Sequence, residues 1–125
     1  ATDSAAASTA VELLKLLPGG SHTCGLWSNR SVTCCGLNSN GQLGQGDSVA
    51  RNIHEVVPFP EGIDDLYIGN AHTCVTTAGQ LKCWGGSYHG QLGINAYGDN
   101  DPSRGKNPGD IAALPAVPFP SGYSD

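Results

Sequence analysis

Gly19-Gly20-Ser21-His22-Thr23-Cys24 returns fifty positions later as Gly69-Asn70-Ala71-His72-Thr73-Cys74. Three further blocks follow in the same order. Cys34-Cys35-Gly36 is matched by Cys83-Trp84-Gly85, and Gly41-Gln42-Leu43-Gly44 returns unchanged as Gly90-Gln91-Leu92-Gly93. Val57-Pro58-Phe59-Pro60 returns as Val117-Pro118-Phe119-Pro120. The offset falls from 50 to 49 within the first pair of strands and rises to 60 before the last block. One extra residue therefore lies in the first turn, and eleven extra residues lie between Gly93 and Val117. Self-similarity with a period near fifty residues is the signature of a propeller or a solenoid.

Within each unit the apolar runs are four to six residues long and end at Gly or Pro, which suits short β-strands. Leu66-Tyr67-Ile68 runs into Gly69, His72–Thr76 reads as the next strand, and Gln80–Trp84 reads as its hairpin partner. The first unit contains a conflict. Thr9 to Leu17 has the local look of a capped helix, with Thr9 as N-cap and Glu12 completing a capping box. The repeat places Leu16-Leu17 opposite Leu66-Tyr67, so we read Leu13–Leu17 as strand. The expected fold is all-β: two propeller-like blades of short antiparallel strands. The expected divisions are an arm at 1–8, repeat one at 9–62, repeat two at 63–122 with an inserted loop at 94–116, and a tail at 123–125.

Composition agrees and excludes several functions. Gly and Pro, 18 and 8 of 125 residues, are too many for a helical bundle. Six basic against eleven acidic residues give a net charge of −5. The basic side chains Arg30, Arg51, Lys82 and Arg104 are scattered, whereas nucleic-acid binding needs them clustered. No stretch approaches the eighteen apolar residues of a membrane-spanning helix.

The five cysteines are Cys24, Cys34, Cys35, Cys74 and Cys83. Cys24 and Cys34 flank the turn-like Ser28–Ser31, and Cys74 and Cys83 flank Thr77–Gln80. A hairpin would bring each pair side by side, at disulfide distance. Reduced buried thiols are the alternative. No Cys-x-x-Cys is present, so the usual zinc spacing is missing. Disulfides imply an oxidising, extracytoplasmic compartment. Ala1–Ala10 lacks the basic start and apolar core of a signal peptide, so a mature product or a fragment is expected. Cys35 is left as a free thiol, read as a small buried hydrophobe.

These blocks resemble the repeat of the regulator of chromosome condensation family, with its Gly-x-x-His-Thr-Cys strand, Cys-Trp-Gly strand and Asn-x-x-Gly-Gln-Leu-Gly loop. The residues that carry the resemblance are Gly19–Leu26, Cys34–Gly36 and Asn38–Gly44 in one repeat, and Gly69–Cys74, Cys83–Gly85 and Gly90–Gly93 in the other. The paired cysteines are similar to those of extracytoplasmic members. The resemblance implies one four-stranded blade per repeat in a ring that seven repeats usually close. Cys35 departs from the pattern, standing where Trp84 stands in the second repeat. Two blades cannot close such a ring, and each outer blade would leave a face and a strand edge uncovered. The implied partner is another protein or further copies of the chain.

His22 and His72 occupy matching positions, and we read them as structural, hydrogen-bonding within their blades. Trp84 reads as core. Gly41, Gly44, Gly90 and Gly93 read as loop glycines with positive φ, not as a phosphate loop, since no Lys-Ser/Thr follows. Asp99, Asp101, Ser103 and Asp110 have the spacing of calcium-loop oxygens, but Arg104 stands where such a loop needs Gly. An ordered polar surface loop is the reading we prefer there. Asn29-Arg30-Ser31 is an N-glycosylation sequon at a hairpin tip. No catalytic constellation and no cofactor motif emerges. The expected function is a non-catalytic interaction module, an accessory subunit or fragment docking onto a larger extracytoplasmic assembly. Guanine-nucleotide exchange and a calcium- or carbohydrate-binding surface are the alternatives.

Overall fold

The computed structural model describes residues 10–86 and 104–117. Seven strands account for the regular structure in chain order: β1 (Leu13–Pro18), β2 (His22–Trp27), β3 (Val32–Gly36), β4 (Arg51–Val56), β5 (Asp65–Ile68), β6 (His72–Thr77) and β7 (Gln80–Gly85). They form two antiparallel meanders, β1-β2-β3-β4 and β5-β6-β7. β1 occupies the stretch where the repeat argued strand against local helix propensity. Its ladder to β2, from Leu13↔Trp27 to Pro18↔Thr23, outweighs the few tenths of a kcal/mol per residue that propensity supplies.

Equivalent residues make equivalent bonds in the two units. Gly19 N donates to His22 O at 2.7 Å, and Gly69 N donates to His72 O at 2.9 Å. Leu37 N reaches Ser21 O at 3.0 Å, and Gly86 N reaches Ala71 O at 2.9 Å. Val57 N bonds Val32 O, and Val117 N bonds Leu81 O, both at 2.8 Å. The extra residue of the first unit lies in its turn. β6 and β7 are joined by Ala78-Gly79, both at positive φ (51° and 77°), the two-residue hairpin turn whose twist suits the strands.

The second unit differs from the first at its fourth strand. Among the described residues β7 has no ladder on that side, only a single bridge from Gly85 to Arg104. Arg104 stands where Arg51 pairs with Gly36. The chain beyond it turns repeatedly rather than extending, and folds back over the Gly41–Gly46 loop of the first unit. Gly46 N bonds Gly105 O at 2.9 Å. Ile111 and Leu114 are buried in the common core. The expectation of a polar surface loop across 94–116 is corrected here: its described part is anchored by two apolar side chains.

The core lies between the two sheets. Cys24, Leu26, Val32 and Cys34 of the first sheet meet Leu66, Val75 and Trp84 of the second, with Leu43, Val57, Ile63, Ile111 and Leu114 closing the ends. Phe59 tilts against Trp84, their ring centroids 5.3 Å apart. The calcium-type residues Asp99, Asp101 and Ser103, the loop glycines Gly90 and Gly93, the arm at 1–8 and the tail at 123–125 lie outside the described residues.

Candidate interaction surface

The seam between the sheets centres on one backbone carbonyl. Gln42 O, in the loop after β3, accepts the Trp84 indole N–H at 2.9 Å and the Thr73 hydroxyl at 3.1 Å. Because the Thr73 hydroxyl donates its only proton there, it must accept from His22 Nε2, 2.7 Å away. His22 is therefore the neutral tautomer that carries its proton on Nε2. Its partner lies in the other sheet, which corrects the expectation of a bond within its own blade. His22 Nδ1 is buried and has no partner among the described residues. Protonation would place a second N–H there with none of those residues to accept it. Burial, and then the nearby His72, push the His22 pKa down to about 4. Burial also lowers the pKa of His72, whose Nδ1 is likewise buried without a described partner.

Polar contacts fasten the edges of the seam. Lys15 of β1 meets Asp65 of β5 at 2.6 Å. The lysine hydrogen bond holds the Asp65 carboxyl below the usual carboxylate range. Both partners are part-exposed, so the pair contributes little stability. Ser21 Oγ donates to Asn70 O at 3.0 Å and accepts from Gln42 Nε2 at 3.1 Å.

Asn38 organises the loop that delivers Gln42. Its Nδ2 donates to Asp47 O and Val49 O, and its Oδ1 accepts from Leu43 N at 3.0 Å. Gly41 (φ 77°) and Gly44 (φ 68°) occupy the left-handed region in that loop. Gly44 is doubly constrained, since a Cβ there would lie 2.9 Å from Val57 Cγ1 and 3.0 Å from Trp84 Nε1. Thr73, Gln42, Asn38, Ile111 and Leu114 do not stand out in the sequence as site residues. A signal existed for the first three, because each lies in or beside a repeated block. None existed for Ile111 and Leu114, which have no repeat counterpart.

The first sheet turns its other face outward. The register puts Leu16, Gly25, Thr33 and Val56 in one row across it, with Pro18, Thr23 and Cys35 in another. In the first row Leu16 and Val56 are 52% and 57% exposed. Trp27 Nε1 donates to Thr33 Oγ1 at 2.9 Å, and His54 Nδ1 lies 2.9 Å from the same hydroxyl. Thr23 and Cys35 hold the positions that Thr73 and Trp84 hold in the second sheet. This face therefore has the seam threonine but lacks the seam indole.

The cysteine pairs Cys24–Cys34 and Cys74–Cys83 are joined by disulfides across β2/β3 and β6/β7. Cys35 carries a free, half-buried thiol. Asn29 is exposed in the β2–β3 turn. Asp110 Oδ2 accepts from the backbone N–H groups of Gly105 and Asn107, so this carboxylate serves the turn it sits in. Among the described residues no group of three or more His, Cys, Asp or Glu could hold a metal ion. No described helix is long and apolar enough to cross a membrane.

No family model matches the chain. Curated relatives do. The chain is 34% identical over 95 residues to the human probable E3 ubiquitin-protein ligase HERC6, a match covering 74% of this chain and 9% of that protein. It is 33% identical over 99 residues to the Arabidopsis thaliana RCC1 domain-containing protein RUG3, mitochondrial, covering 77% of this chain and 21% of that one. Among solved structures, human WBSCR16 superposes with a TM-score of 0.68 at 18% identity, over 88% of this chain and 26% of that chain. Yeast RCC1 (Prp20) bound to Kap60 superposes with a TM-score of 0.66 at 16% identity, over 88% and 24%. The chain thus resembles RCC1-repeat proteins in sequence and shares their fold as part of a propeller. It spans only 9% and 21% of the two curated relatives. Its relatives include a GTPase regulator and ubiquitin ligases, a range that supports a protein-interaction or regulatory module.

Proposed function

We propose that the two sheets are neighbouring blades that act as a non-catalytic interaction module, docked onto a larger protein assembly outside the reducing cytosol. The observation that carries this reading is the outward face of the first sheet, where Leu16 and Val56 stand half-exposed in one row of the pleat. On the opposite face Cys24, Leu26, Val32 and Cys34 are buried against the second sheet. Apolar sheet faces of this kind gain stability by being covered. The structural neighbour from yeast is described bound to Kap60, and its binding to Gsp1p and histones is described as well, so its fold is one that offers surfaces to proteins. The two disulfides support an oxidising compartment.

Light scattering coupled to gel filtration tests the docking reading on the full chain. The expected result is association through the open face, relieved by Leu16→Glu. A compact, stable monomer that Leu16→Glu leaves unchanged contradicts it. The compartment is tested by thiol-blocked mass measurement of the chain from its native source. Two disulfides and one blocked thiol are expected, whereas five blocked thiols refute the reading.

A further inference from the structure

We propose that Asn29 carries an N-linked glycan. The proposal rests on the extracytoplasmic reading above and adds a site to it. Asn29-Arg30-Ser31 forms the tip of the β2–β3 turn, with Asn29 and Arg30 exposed. The tip is tightly made: Trp27 N donates to Ser31 O at 3.0 Å, and Arg30 adopts φ 69°. Within it the Asn29 carboxamide is held at one end only. Its Oδ1 accepts from Ser31 Oγ at 2.7 Å and from Ser31 N at 3.1 Å. Its Nδ2 donates to none of the described residues and faces solvent. The serine hydroxyl thus engages the amide oxygen and leaves the amide nitrogen open. That nitrogen is the atom at which N-glycosylation occurs.

In the reaction, Asn29 Nδ2 attacks the anomeric carbon of an oligosaccharide carried on a lipid pyrophosphate. The new bond is C–N. The bond that breaks joins the anomeric carbon to the pyrophosphate oxygen, and the lipid pyrophosphate departs with the electron pair. The proton lost from Nδ2 goes to a base of the transferring enzyme. No redox step is involved.

The position has a consequence for docking. The turn lies at the Val32 end of β3, whereas the loop that carries Gln42 leaves from its Gly36 end, where Leu37 N bonds Ser21 O. A glycan on Asn29 keeps the turn end in solvent. The sheet faces and the loop end are then left for partners. The second hairpin has no such acceptor, because its turn is Ala78-Gly79.

The test is peptide mapping of the full chain from its native source, with amide-cleaving deglycosylation in heavy-oxygen water. The expected result is Asn29 recovered as heavy-oxygen aspartate, with both disulfides formed. Chain secreted from a eukaryotic cell line should show the same modification. There it should be lost in Asn29→Gln and Ser31→Ala and kept in Ser31→Thr. Retained disulfides in each variant will show that it folds. Intact disulfides with unmodified Asn29 overturn the glycan and leave the compartment reading standing. Free thiols throughout the native chain overturn both.

Discussion

Acidification should open the seam, and His22 should account for most of the effect. The imidazole is buried, accepts no hydrogen bond at Nδ1 from the described residues, and has its pKa lowered from 6.5 to about 4. Above pH 6.5 the folded and unfolded chains both hold it neutral, and stability is at its full value. Between 6.5 and 4 the unfolded chain binds a proton that the folded chain refuses, so stability falls as pH falls. A tenfold difference in proton affinity between the two states is worth about 1.4 kcal/mol, so the loss across this window is about 3 kcal/mol. His72, also lowered by burial, adds a smaller loss of the same sign. The carboxylates of Asp47 and Asp65, held low by hydrogen bonds from Arg51 and Lys15, lose their contribution only further down, below the ordinary carboxylate value of 3.8. Urea unfolding followed by tryptophan fluorescence, at half-unit pH steps from 7 to 4, reads the slope. His22→Gln keeps a donor for Thr73 and removes the titration. Its stability should fall by about 3 kcal/mol less than that of the parent over the same window. Any constant cost of the substitution cancels in this comparison. Parallel pH profiles for the two proteins would refute the buried, neutral His22.

Five further variants are to be read by the same denaturation assay. Trp84→Phe removes one of two donors to Gln42 O while keeping most of the ring, and should cost about 1–2 kcal/mol. Replacing Cys24 and Cys34 together by Ser releases a ten-residue loop and should cost about 2–3 kcal/mol. Gly44→Ala meets both a left-handed φ and atoms of Val57 and Trp84, and should cost about 2–4 kcal/mol. Gly79→Ala has a similar φ but open space around it, and should cost only about 1 kcal/mol. Asp110→Ala should destabilise by about 1 kcal/mol with or without calcium, because the carboxylate caps two backbone N–H groups. A loss that appears only when calcium is present in the parent's buffer would show that Asp110 is a ligand.

The repeat made most of the architecture legible before any coordinates. Matched blocks at near-constant offset require matched backbones. The hairpins, their disulfide-distance cysteines and the strand at Leu13–Leu17 follow from that correspondence. The seam was not legible. His22 could be matched to His72 along the chain, but its hydrogen bond is made to Thr73 of the other sheet, and a spacing rule within one unit cannot show such a contact. The same holds for Asp110, whose calcium-like spacing is used by backbone N–H groups three and five residues upstream.

By itself, then, the sequence determined the all-β class, the two-unit organisation and which cysteines face each other across each hairpin. Repeated local patterns impose repeated local hydrogen bonding, and that information is contained within each unit. Only the tertiary structure decided what faces what. It showed that Trp84 and Thr73 converge on the Gln42 carbonyl, with His22 bonded to the Thr73 hydroxyl. It showed that Ile111 and Leu114 draw the extra segment into the core. It also showed that Leu16 and Val56 are left on an open face. Those outcomes depend on how two twisted sheets stack and on which buried polar groups find partners across the gap, and neither is written in the period of the repeat.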